Sequence, residues 1–442
     1  MKLTLIKPNI GRMEHSLYVD EGRMEPLTLA VLAGLTPPDV EVVLYDDRME
    51  SIPYDEETDF VAITVETYTA RRAYEISAEF RARGIPVIMG GFQPMLIPEE
   101  CALHADSLLI GDAETIWPDV IADAKGKKLK PLYKARPGSP QAKTLPRRDL
   151  FDGKGYLPLS LMQFSRGCTF ACNFCAVSVF FDRKQYVRDV RELVREIEAQ
   201  DRKMLFIVDD NIGANHNALK TLCRELIPLN VGWISQTSLN ITHDLELMKL
   251  MERSGNLGNV VGFESLNPES IRSMNKSPNF SGFDHYKEQV KILNDYGHQT
   301  WAAFTLGHDF DTVETVDVTL EFAMENNFSF AAFNILMPYP GTPLHEKLKE
   351  ENRLLYDGKW WLHPEYRFNQ AAFLPNKVSP DELTDACHRA RSHFNSLSSI
   401  TRRLFMGTNF RSLSRAGLYL FYASIFRKEV FKKHGMRFGL ET

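Results

Sequence analysis

SRGCTFACNFC, residues 165 to 175, carries three cysteines at C-x3-C-x2-C spacing: Cys168, Cys172 and Cys175. Three thiolates this close together in one loop can hold three irons of a four-iron cube, which leaves the fourth iron without a protein ligand. An open coordination position distinguishes a reactive metal site from a sealed structural one. The stretch therefore predicts a reactive iron–sulfur site, and the rest of the chain has to build a fold around it.

The alternatives for these cysteines are a zinc site and a disulfide scaffold. Structural zinc would need a fourth Cys or a His at regular spacing, and none follows within the loop. Six cysteines in 442 residues are too sparse for a disulfide framework. Cys101, Cys223 and Cys387 are scattered singly, which is typical of buried apolar fillers rather than ligands.

The overall charge and hydropathy exclude several partners. Lys and Arg number 52 against 58 Asp and Glu, a formal net charge of −6 that creates no general attraction for nucleic acid. The amino terminus lacks a secretory pattern, and no run of about 18 apolar residues, the length that crosses a bilayer, occurs. We expect a cytoplasmic protein that binds no nucleic acid.

The amino-terminal third alternates short β-rich runs with amphipathic helical stretches, a pattern typical of an open, doubly wound parallel sheet. The β-rich runs are LTLI near the start, VEVVLY at 40 to 45, FVAIT at 60 to 64, PVIMGG at 86 to 91 and SLLIG at 107 to 111. A connection rich in Lys, Pro and Gly follows. We predict a first domain over residues 1–147 with this Rossmann-like fold.

Alternation resumes after the cysteine loop, with strand-like runs LFIVDD, VGWISQTS, NVVGFES, TWAAFTL and FAAFNIL. About six β/α units predict a full or partial TIM-like parallel barrel over residues 148–350, whose active groups lie where strands end. Residues 351–442 are predicted to form a mostly helical extension.

The carboxyl-terminal tail is basic and aromatic. From Thr401 onward nine Lys and Arg face two acidic residues, and AGLYLFYASIF at 416 to 426 is apolar but too short to span a bilayer. Two interpretations stay open: an amphipathic helix in peripheral contact with a membrane surface, or a helix docked on the barrel.

The cysteine loop resembles the cluster loop of radical S-adenosylmethionine enzymes, including the aromatic Phe174 before the last cysteine. The resemblance implies a [4Fe-4S] cluster whose open iron is chelated by S-adenosylmethionine. One electron, from a donor such as flavodoxin or ferredoxin, then yields methionine and a 5′-deoxyadenosyl radical that abstracts hydrogen from unactivated C–H bonds. The cofactor would supply the reactivity and the protein the placement.

Later strand ends are similar to the segments of that family that contact S-adenosylmethionine. The resemblance assigns this role to Phe174 and to Asp209, Asp210, Asn211, Gln236, Thr237, Glu264 and Ser265. Carboxylate and amide oxygens suit an ammonium group or sugar hydroxyls. The alternative is that these polar residues only cap the helices that follow the strands.

The segment from Ala62 to Glu114 resembles the cobalamin-binding domain of B12-type radical enzymes, whose relatives include hopanoid methylases and the anaerobic magnesium-protoporphyrin ester cyclase. Ligands of open α/β sheets lie across the strand ends. The candidate cobalamin residues are Thr64, Glu66, Gly90, Gly91, Gln93 and Gly111, with an ordinary tight turn as the alternative. One departure is that KPNIGRMEHSLYVDEG, residues 7 to 22, gives His15 no Asp-x-His-x-x-Gly framing.

The sequence leaves the reaction open among three hypotheses. The first is cobalamin-dependent methylation of an unactivated carbon in a small-molecule or lipid-like substrate. The second is a radical cyclisation, rearrangement or aminocarboxypropyl transfer, and the third is a non-catalytic iron–sulfur sensor. His308 is the one weak candidate for a catalytic side chain, since a lone His among polar neighbours is more often structural.

Overall fold

The computed structural model describes residues 1–12, 22–140 and 144–440, so His15 lies outside the described residues. The chain divides into two compact units. The first contains Met1–Leu157, Lys359–Phe368 and Met436–Thr442, and the second contains Pro158–Gly358 and Asn369–Gly435. The three-domain division with boundaries after residues 147 and 350 stays a prediction. In the two-unit division, most of the expected extension belongs to the second unit.

The first unit is built on a six-stranded parallel sheet in the order β3-β1-β4-β5-β6-β7. Its central strands are buried on both faces, which is why they are nearly continuous apolar runs. The predicted open parallel α/β sheet is confirmed. The strands are β1 (Lys2–Lys7), β2 (Gly11–Arg12), β3 (Glu41–Asp46), β4 (Phe60–Thr64), β5 (Val87–Gly90), β6 (Ser107–Ile110) and β7 (Leu132–Lys134).

Helices connect most of these parallel strands, although β3 leads to β4 without one, and the sheet order changes direction between β1 and β4. Flavodoxin-type sheets have this strand order, and they bind ligands at the point where the order changes direction, which is called the switch point. The helices are α1 (Leu27–Leu35), α2 (Ala70–Ala82), α3 (Phe92–Leu96), α4 (Pro98–Cys101) and α5 (Trp117–Lys125).

The second unit contains another six-stranded parallel sheet, in the order β15-β14-β13-β12-β11-β8, and an antiparallel ribbon of β9 and β10. Among the described residues the sheet is open, because β15 and β8 are not paired with each other. The strands are β8 (Ser160–Met162), β9 (Ser165–Gly167), β10 (Gln185–Val187), β11 (Met204–Ile207), β12 (Gly232–Thr237), β13 (Asn256–Glu264), β14 (Trp301–Leu306) and β15 (Phe330–Ile335). A last short strand, β16 (Arg437–Phe438), belongs to the first unit and pairs there with β2.

The helices of the second unit pack on this sheet around a core that includes Trp233, Phe263 and Phe304. No helix in the described ranges is long and apolar enough to cross a membrane. The helices are α6 (Ala176–Phe180), α7 (Val190–Glu198), α8 (His216–Leu226), α9 (Leu245–Arg253), α10 (Pro268–Ser273), α11 (Ser277–Gly282), α12 (Tyr286–Asp295), α13 (Val313–Glu325), α14 (Pro343–Glu350), α15 (Pro380–Phe394), α16 (Leu397–Leu404) and α17 (Leu413–Lys433).

Two adjacent glycines at the end of β5 have different structural requirements. Gly91 has φ of +108°, and a Cβ there would lie 2.7 Å from the carbonyl oxygen of Val65. At Gly90 a Cβ would meet nothing closer than Leu109, at 3.7 Å. The backbone therefore needs glycine at position 91, whereas the packing leaves room for a side chain at position 90.

We expect Gly91→Ala to lower the free energy of unfolding by about 1–3 kcal/mol, because alanine is strained at positive φ and would clash with Val65. Gly90→Ala is the matched control and should change it by less than about 1 kcal/mol. Urea unfolding followed by circular dichroism measures both values. Equal losses in the two variants would contradict the assignment of strain to Gly91 alone.

Candidate metal centre and cofactor site

The cysteine loop begins where β9 ends. Gly167 closes this strand with φ of +85°, and a Cβ there would overlap the carbonyl oxygen of Lys184, so the glycine of SRGC is required by the β9–β10 ribbon. Cys168 follows directly, and Cys175 precedes the first residue of α6. The backbone N–H of Cys175 donates to the carbonyl of Cys172 at 3.2 Å. The ribbon and the helix therefore fix both ends of the loop that carries the three thiols.

The three thiols lie within electrostatic range of one another. Burial raises the pKa of Cys172 to about 12, against the opposing charge of Lys276, and Cys175 and Cys168 raise it further. Burial also raises the pKa of Cys175, and Cys168 adds to that effect. The described residues contain no group of three or more His, Cys, Asp or Glu side chains already arranged around one metal position. The donor set still fits an iron–sulfur cluster, since it is three soft sulfur donors in one short loop, and binding would have to displace the thiol protons.

Asp209 anchors the strand that leads into the cysteine loop. Its Oδ1 accepts the backbone N–H of Phe164 at 2.9 Å, and its Oδ2 accepts the N–H and hydroxyl of Ser165 at 2.8 and 2.6 Å. The side chain has no solvent exposure, and burial raises the pKa of Asp209 to about 7 against the opposing effect of these donors. Both oxygens are thus engaged with the residues around β9, and the predicted contact of Asp209 with S-adenosylmethionine stays a prediction.

The two residues after Asp209 contact Gly167 and Cys168, at the start of the cysteine loop. Asp210 Oδ2 accepts the backbone N–H of Gly167 at 2.7 Å. Asn211 directs its Nδ2 at the Sγ of Cys168, at 3.6 Å, and at Ser238 Oγ, at 3.2 Å. Its Oδ1 is buried with no hydrogen-bond partner among the described residues. Of the three predicted residues after β11, Asn211 is the one with an unused acceptor beside a cysteine.

The predicted residues on β12 differ in exposure. Gln236 is half-buried, whereas Thr237 is buried and its hydroxyl donates to the carbonyl of Ser238 at 3.3 Å. A Cβ on Gly213 would overlap Thr237 Oγ1, so Thr237 packs against the turn that follows Asn211. This geometry leaves Gln236 as the more accessible of the two for a bound cofactor.

Glu264, at the end of β13, forms a buried ion pair with Lys276. Lys276 Nζ contacts Glu264 Oε1 and donates to the carbonyl of Gly262 at 3.1 Å, while Thr305 Oγ1 donates to Glu264 Oε2 at 2.8 Å. A Cβ on Gly262 would occupy the space of this pair. Glu264 has φ of +67°, which is strained for a non-glycine residue. The predicted cofactor residue therefore already has two protein partners.

Lys276 and its neighbours lie beside the candidate site, and the sequence prediction did not include them. Burial opposes the charge on Lys276, but Glu264 and then Cys172 raise its pKa above the usual value, so the ammonium lies near the cysteine loop. Asn173 N–H donates to the carbonyl of Met274 at 3.1 Å, and Asn275 Nδ2 donates to the carbonyl of Ala171 at 3.2 Å. The available signal was the segment MNKSPN at 274 to 279.

Ser265 is fully buried and is hydrogen-bonded to the protein. Its Oγ donates to Asp311 Oδ1 at 3.2 Å, and Ser270 Oγ donates to the same oxygen at 2.6 Å. The other oxygen of Asp311 accepts the N–H groups of Gly307 and His308, both at 3.0 Å. Ser265 thus belongs to a network that fixes the loop carrying His308, and its predicted contact with S-adenosylmethionine gains no support.

His308 packs edge-on against Phe174, with ring centroids 5.9 Å apart. Its Nε2 is buried without a hydrogen-bond partner in the part of the chain that the structure describes. Burial lowers the pKa of His308, although Asp311 and Glu264 oppose this effect. His308, the candidate from the sequence, therefore lies beside Phe174 of the cysteine loop, and its Nε2 has no hydrogen-bond partner among the described residues.

The candidate cobalamin residues of the first unit do not share one environment. Glu66 is exposed and accepts from Lys7 Nζ at 2.8 Å. Gln93 is fully buried, its Nε2 donates to Glu100 at 3.2 Å, and its Oε1 has no partner among the described residues. Thr64, Gly90 and Gly111 are partly exposed at strand ends, Gly91 is exposed, and a Cβ on Gly111 would overlap the carbonyl of Ala135.

Comparisons with known proteins find similarity to radical S-adenosylmethionine enzymes. Residues 162–323 match the Radical SAM superfamily. Two bacteriochlorophyllide d methyltransferases of Chlorobaculum tepidum are similar to the chain: the C-12(1) enzyme is 28% identical over 91% of this chain and 89% of its own, and the C-8(2) enzyme 29% over 75% and 78%. The hopanoid C-2 methylase of Rhodopseudomonas palustris is 25% identical over 79% of this chain and 69% of its own.

Two solved structures share the fold. The cobalamin-dependent S-adenosylmethionine radical enzyme OxsB, solved with aqua-cobalamin and S-adenosylmethionine, covers 97% of this chain and 71% of its own, with a TM-score of 0.67 and 13% identity. The methyltransferase TsrM from Kitasatospora setae, solved with cobalamin and a [4Fe-4S] cluster, covers 79% and 78%, with a TM-score of 0.62 and 17% identity. At these identities the likeness concerns the fold.

We expect Asp209→Asn to lower the amount of iron bound per chain after anaerobic reconstitution, because an amide NH2 would face the Ser165 donors and release the strand before Cys168. The free energy of unfolding should fall by about 1–3 kcal/mol. Iron and sulfide assays and urea unfolding measure the two effects. Asp210→Asn, which alters a half-buried side chain, should lose less of both. Full cluster loading in Asp209→Asn would contradict the anchoring role.

We expect Lys276→Met to destabilise the second unit by about 3–5 kcal/mol, since it leaves the Glu264 carboxylate buried without its cation. The double variant Glu264→Gln/Lys276→Met should recover most of that loss, because no uncompensated charge remains. Urea unfolding of both variants and of Glu264→Gln completes a double-mutant cycle. Additive losses would mean that the two side chains do not interact.

Proposed function

We propose that this chain, whose residues 162–323 form a radical SAM domain, cleaves S-adenosylmethionine reductively at a [4Fe-4S] cluster and uses cobalamin to methylate an unactivated carbon. The observation that carries the proposal is the loop of Cys168, Cys172 and Cys175, which two consecutive aspartates anchor at its start and the segment around Met274 holds at its middle. Such a loop offers three sulfur donors and leaves one iron to a small-molecule ligand.

The chain's own residues would act by holding and orienting these groups. When bound, the cluster and S-adenosylmethionine supply a 5′-deoxyadenosyl radical, and cobalamin supplies a transferable methyl group. Asn211 orients Cys168 and keeps an acceptor free for a ligand. Phe174 and His308 close one side with an apolar edge and an unused nitrogen. The buried Glu264–Lys276 pair balances its own charge close to Cys172.

Cobalamin in the first unit is supported by the sheet order and by the relatives. The flavodoxin-type order provides a switch point between β1 and β4, and Gly90 leaves room at a neighbouring strand end. Both solved structures described above contain cobalamin. Within this proposal Thr64, Glu66, Gly90, Gly91 and Gly111 border the ligand. Gln93 would act from behind, through its buried contact with Glu100.

The finer fold, substrate and electron source are part of the same proposal. The open six-stranded sheet of the second unit would be a partial barrel of the TIM type. The relatives are named for bacteriochlorophyllide and hopanoid substrates, so a large and mostly apolar small molecule is the substrate class we propose. A small redox protein such as flavodoxin or ferredoxin would provide the electron.

A radical cyclisation is the second candidate, because one observation favours it. The anaerobic magnesium-protoporphyrin IX monomethyl ester cyclase of Rubrivivax gelatinosus is 24% identical over 93% of this chain and 78% of its own. The third candidate is a non-catalytic iron–sulfur sensor. The three-cysteine loop and the buried polar side chains beside it, such as Asn211 and Glu264, argue against this candidate.

The test uses the full chain, purified and reconstituted without oxygen in the presence of hydroxocobalamin. With a chemical reductant and S-adenosylmethionine carrying a deuterated methyl group, we expect 5′-deoxyadenosine and a label on bound cobalamin, both detected by mass spectrometry. Deoxyadenosine with no bound corrinoid would favour the cyclisation candidate. No deoxyadenosine from cluster-loaded protein would favour the sensor.

Cys168→Ala, Cys172→Ala and Cys175→Ala should each abolish formation of deoxyadenosine, since each removes one of only three sulfur ligands. Cys387→Ala is the matched control, because Cys387 is buried in the core around α15 and should leave cleavage intact. Cleavage that persists in any of the three loop variants would refute the site.

A further inference from the structure

The helical hairpin of α16 and α17 has one face that is packed and one that is not. Ala416, Tyr419 and Ala423 of α17 are buried, and Tyr419 OH donates to the carbonyl of Ile400 in α16 at 3.0 Å. Phe330 of β15 packs against the same cluster. One of the two interpretations of the tail, a helix docked on the body of the protein, therefore describes this face.

Apolar side chains are also exposed on another side of α17. Leu413 is 83% exposed, and Leu420 and Phe431 follow it at spacings close to whole helical turns. Phe421 is exposed beside them. The loop before α17 adds Phe405, 66% exposed, and Met406 and Phe410. We call these seven residues the apolar surface. Exposed apolar patches of this kind mark interaction sites on soluble proteins.

Basic side chains border the apolar surface. Arg402 and Arg411 are exposed on either side of its loop, and Lys428 and Lys432 are exposed along α17. From Thr401 to the end of the sequence nine Lys and Arg accompany two Glu, whereas the whole chain carries a net charge of −6. Exposed basic side chains thus lie on the same segment as the exposed apolar ones.

We infer that the apolar surface docks the protein on an anionic lipid bilayer, with Phe405, Phe410 and Leu413 inserted at the headgroup level. Aromatic and aliphatic residues flanked by Lys and Arg are the combination that binds such interfaces. A second copy of the chain is the less suitable occupant, because two surfaces of the same positive charge would repel each other. The inference stands on this geometry alone and does not depend on the reaction.

The docking would bring the protein to the phase in which a large apolar substrate dissolves. Such a molecule partitions into a bilayer because its apolar area leaves water there. A protein bound at the interface meets it at a higher local concentration than one in bulk water. This consequence rests on the proposed substrate class, whereas the docking itself does not.

The test is sedimentation of the full-length protein with vesicles of phosphatidylcholine alone or mixed with phosphatidylglycerol. We expect binding to the mixed vesicles that weakens with added salt, because headgroup attraction is screened within about 8 Å at physiological ionic strength. Phe405→Ser/Phe410→Ser/Leu413→Ser should bind about tenfold less tightly. Arg402→Glu/Lys428→Glu should weaken binding by a similar factor and remove most of its salt dependence.

The matched control is Leu103→Ser/Leu245→Ser/Val318→Ser, which removes three exposed apolar side chains outside the apolar surface and should bind like the unmodified protein. Circular dichroism checks that each variant folds. The salt dependence of the unmodified protein tests the inference even if the triple Ser variant does not fold. Equal binding to both vesicle types, or equal binding by all variants, would overturn it. Failure to bind vesicles would also overturn it, whether or not the apolar surface proves to mediate a dimer.

Discussion

The candidate site depends on a set of hydrogen bonds between two aspartates and the backbone before Cys168. Asp209 and Asp210 follow β11, and between them they accept the N–H groups of Phe164, Ser165 and Gly167. These donors belong to a short ribbon whose ladder is only three residues long. Because so short a ribbon contributes few hydrogen bonds, the two carboxylates are what hold the cysteine loop to the parallel sheet. Their hydrogen bonds are costly to lose because they are buried.

The same loop is held from its other side by a segment more than 100 residues later in the chain. Asn173 and Ala171 pair with Met274 and Asn275, and Lys276 continues from there into its ion pair with Glu264. Three strand ends, those of β11, β13 and β14, thus converge on one loop. A reactive metal centre needs this kind of support, because the surrounding contacts orient its ligands as much as the ligands themselves do.

The hairpin of α16 and α17 buries some of its apolar side chains and exposes others. The buried side chains pack against the rest of the second unit. The exposed ones leave aromatic rings in water near exposed Lys and Arg side chains. Apolar exposure of this kind gains nothing for folding, which is why we infer a partner for it. The packed face agrees with the docked-helix interpretation of the tail, and the membrane contact is our inference for the exposed apolar side chains.

The sequence by itself determined that three thiols share one short loop, because their spacing is local. It also determined the alternation of strands and helices, because the periodicity of apolar residues is local as well. It also identified Asn211 and His308, which the structure brings to the cysteine loop. Only the tertiary structure decided that Asp209 faces the backbone, that Ser265 serves Asp311, and that Gln93 is buried. It alone brought Lys276 to Glu264. The physical reason is that a polar residue at a strand end has the same sequence pattern whether it faces a ligand or a buried donor, and the choice depends on which distant segment packs beside it.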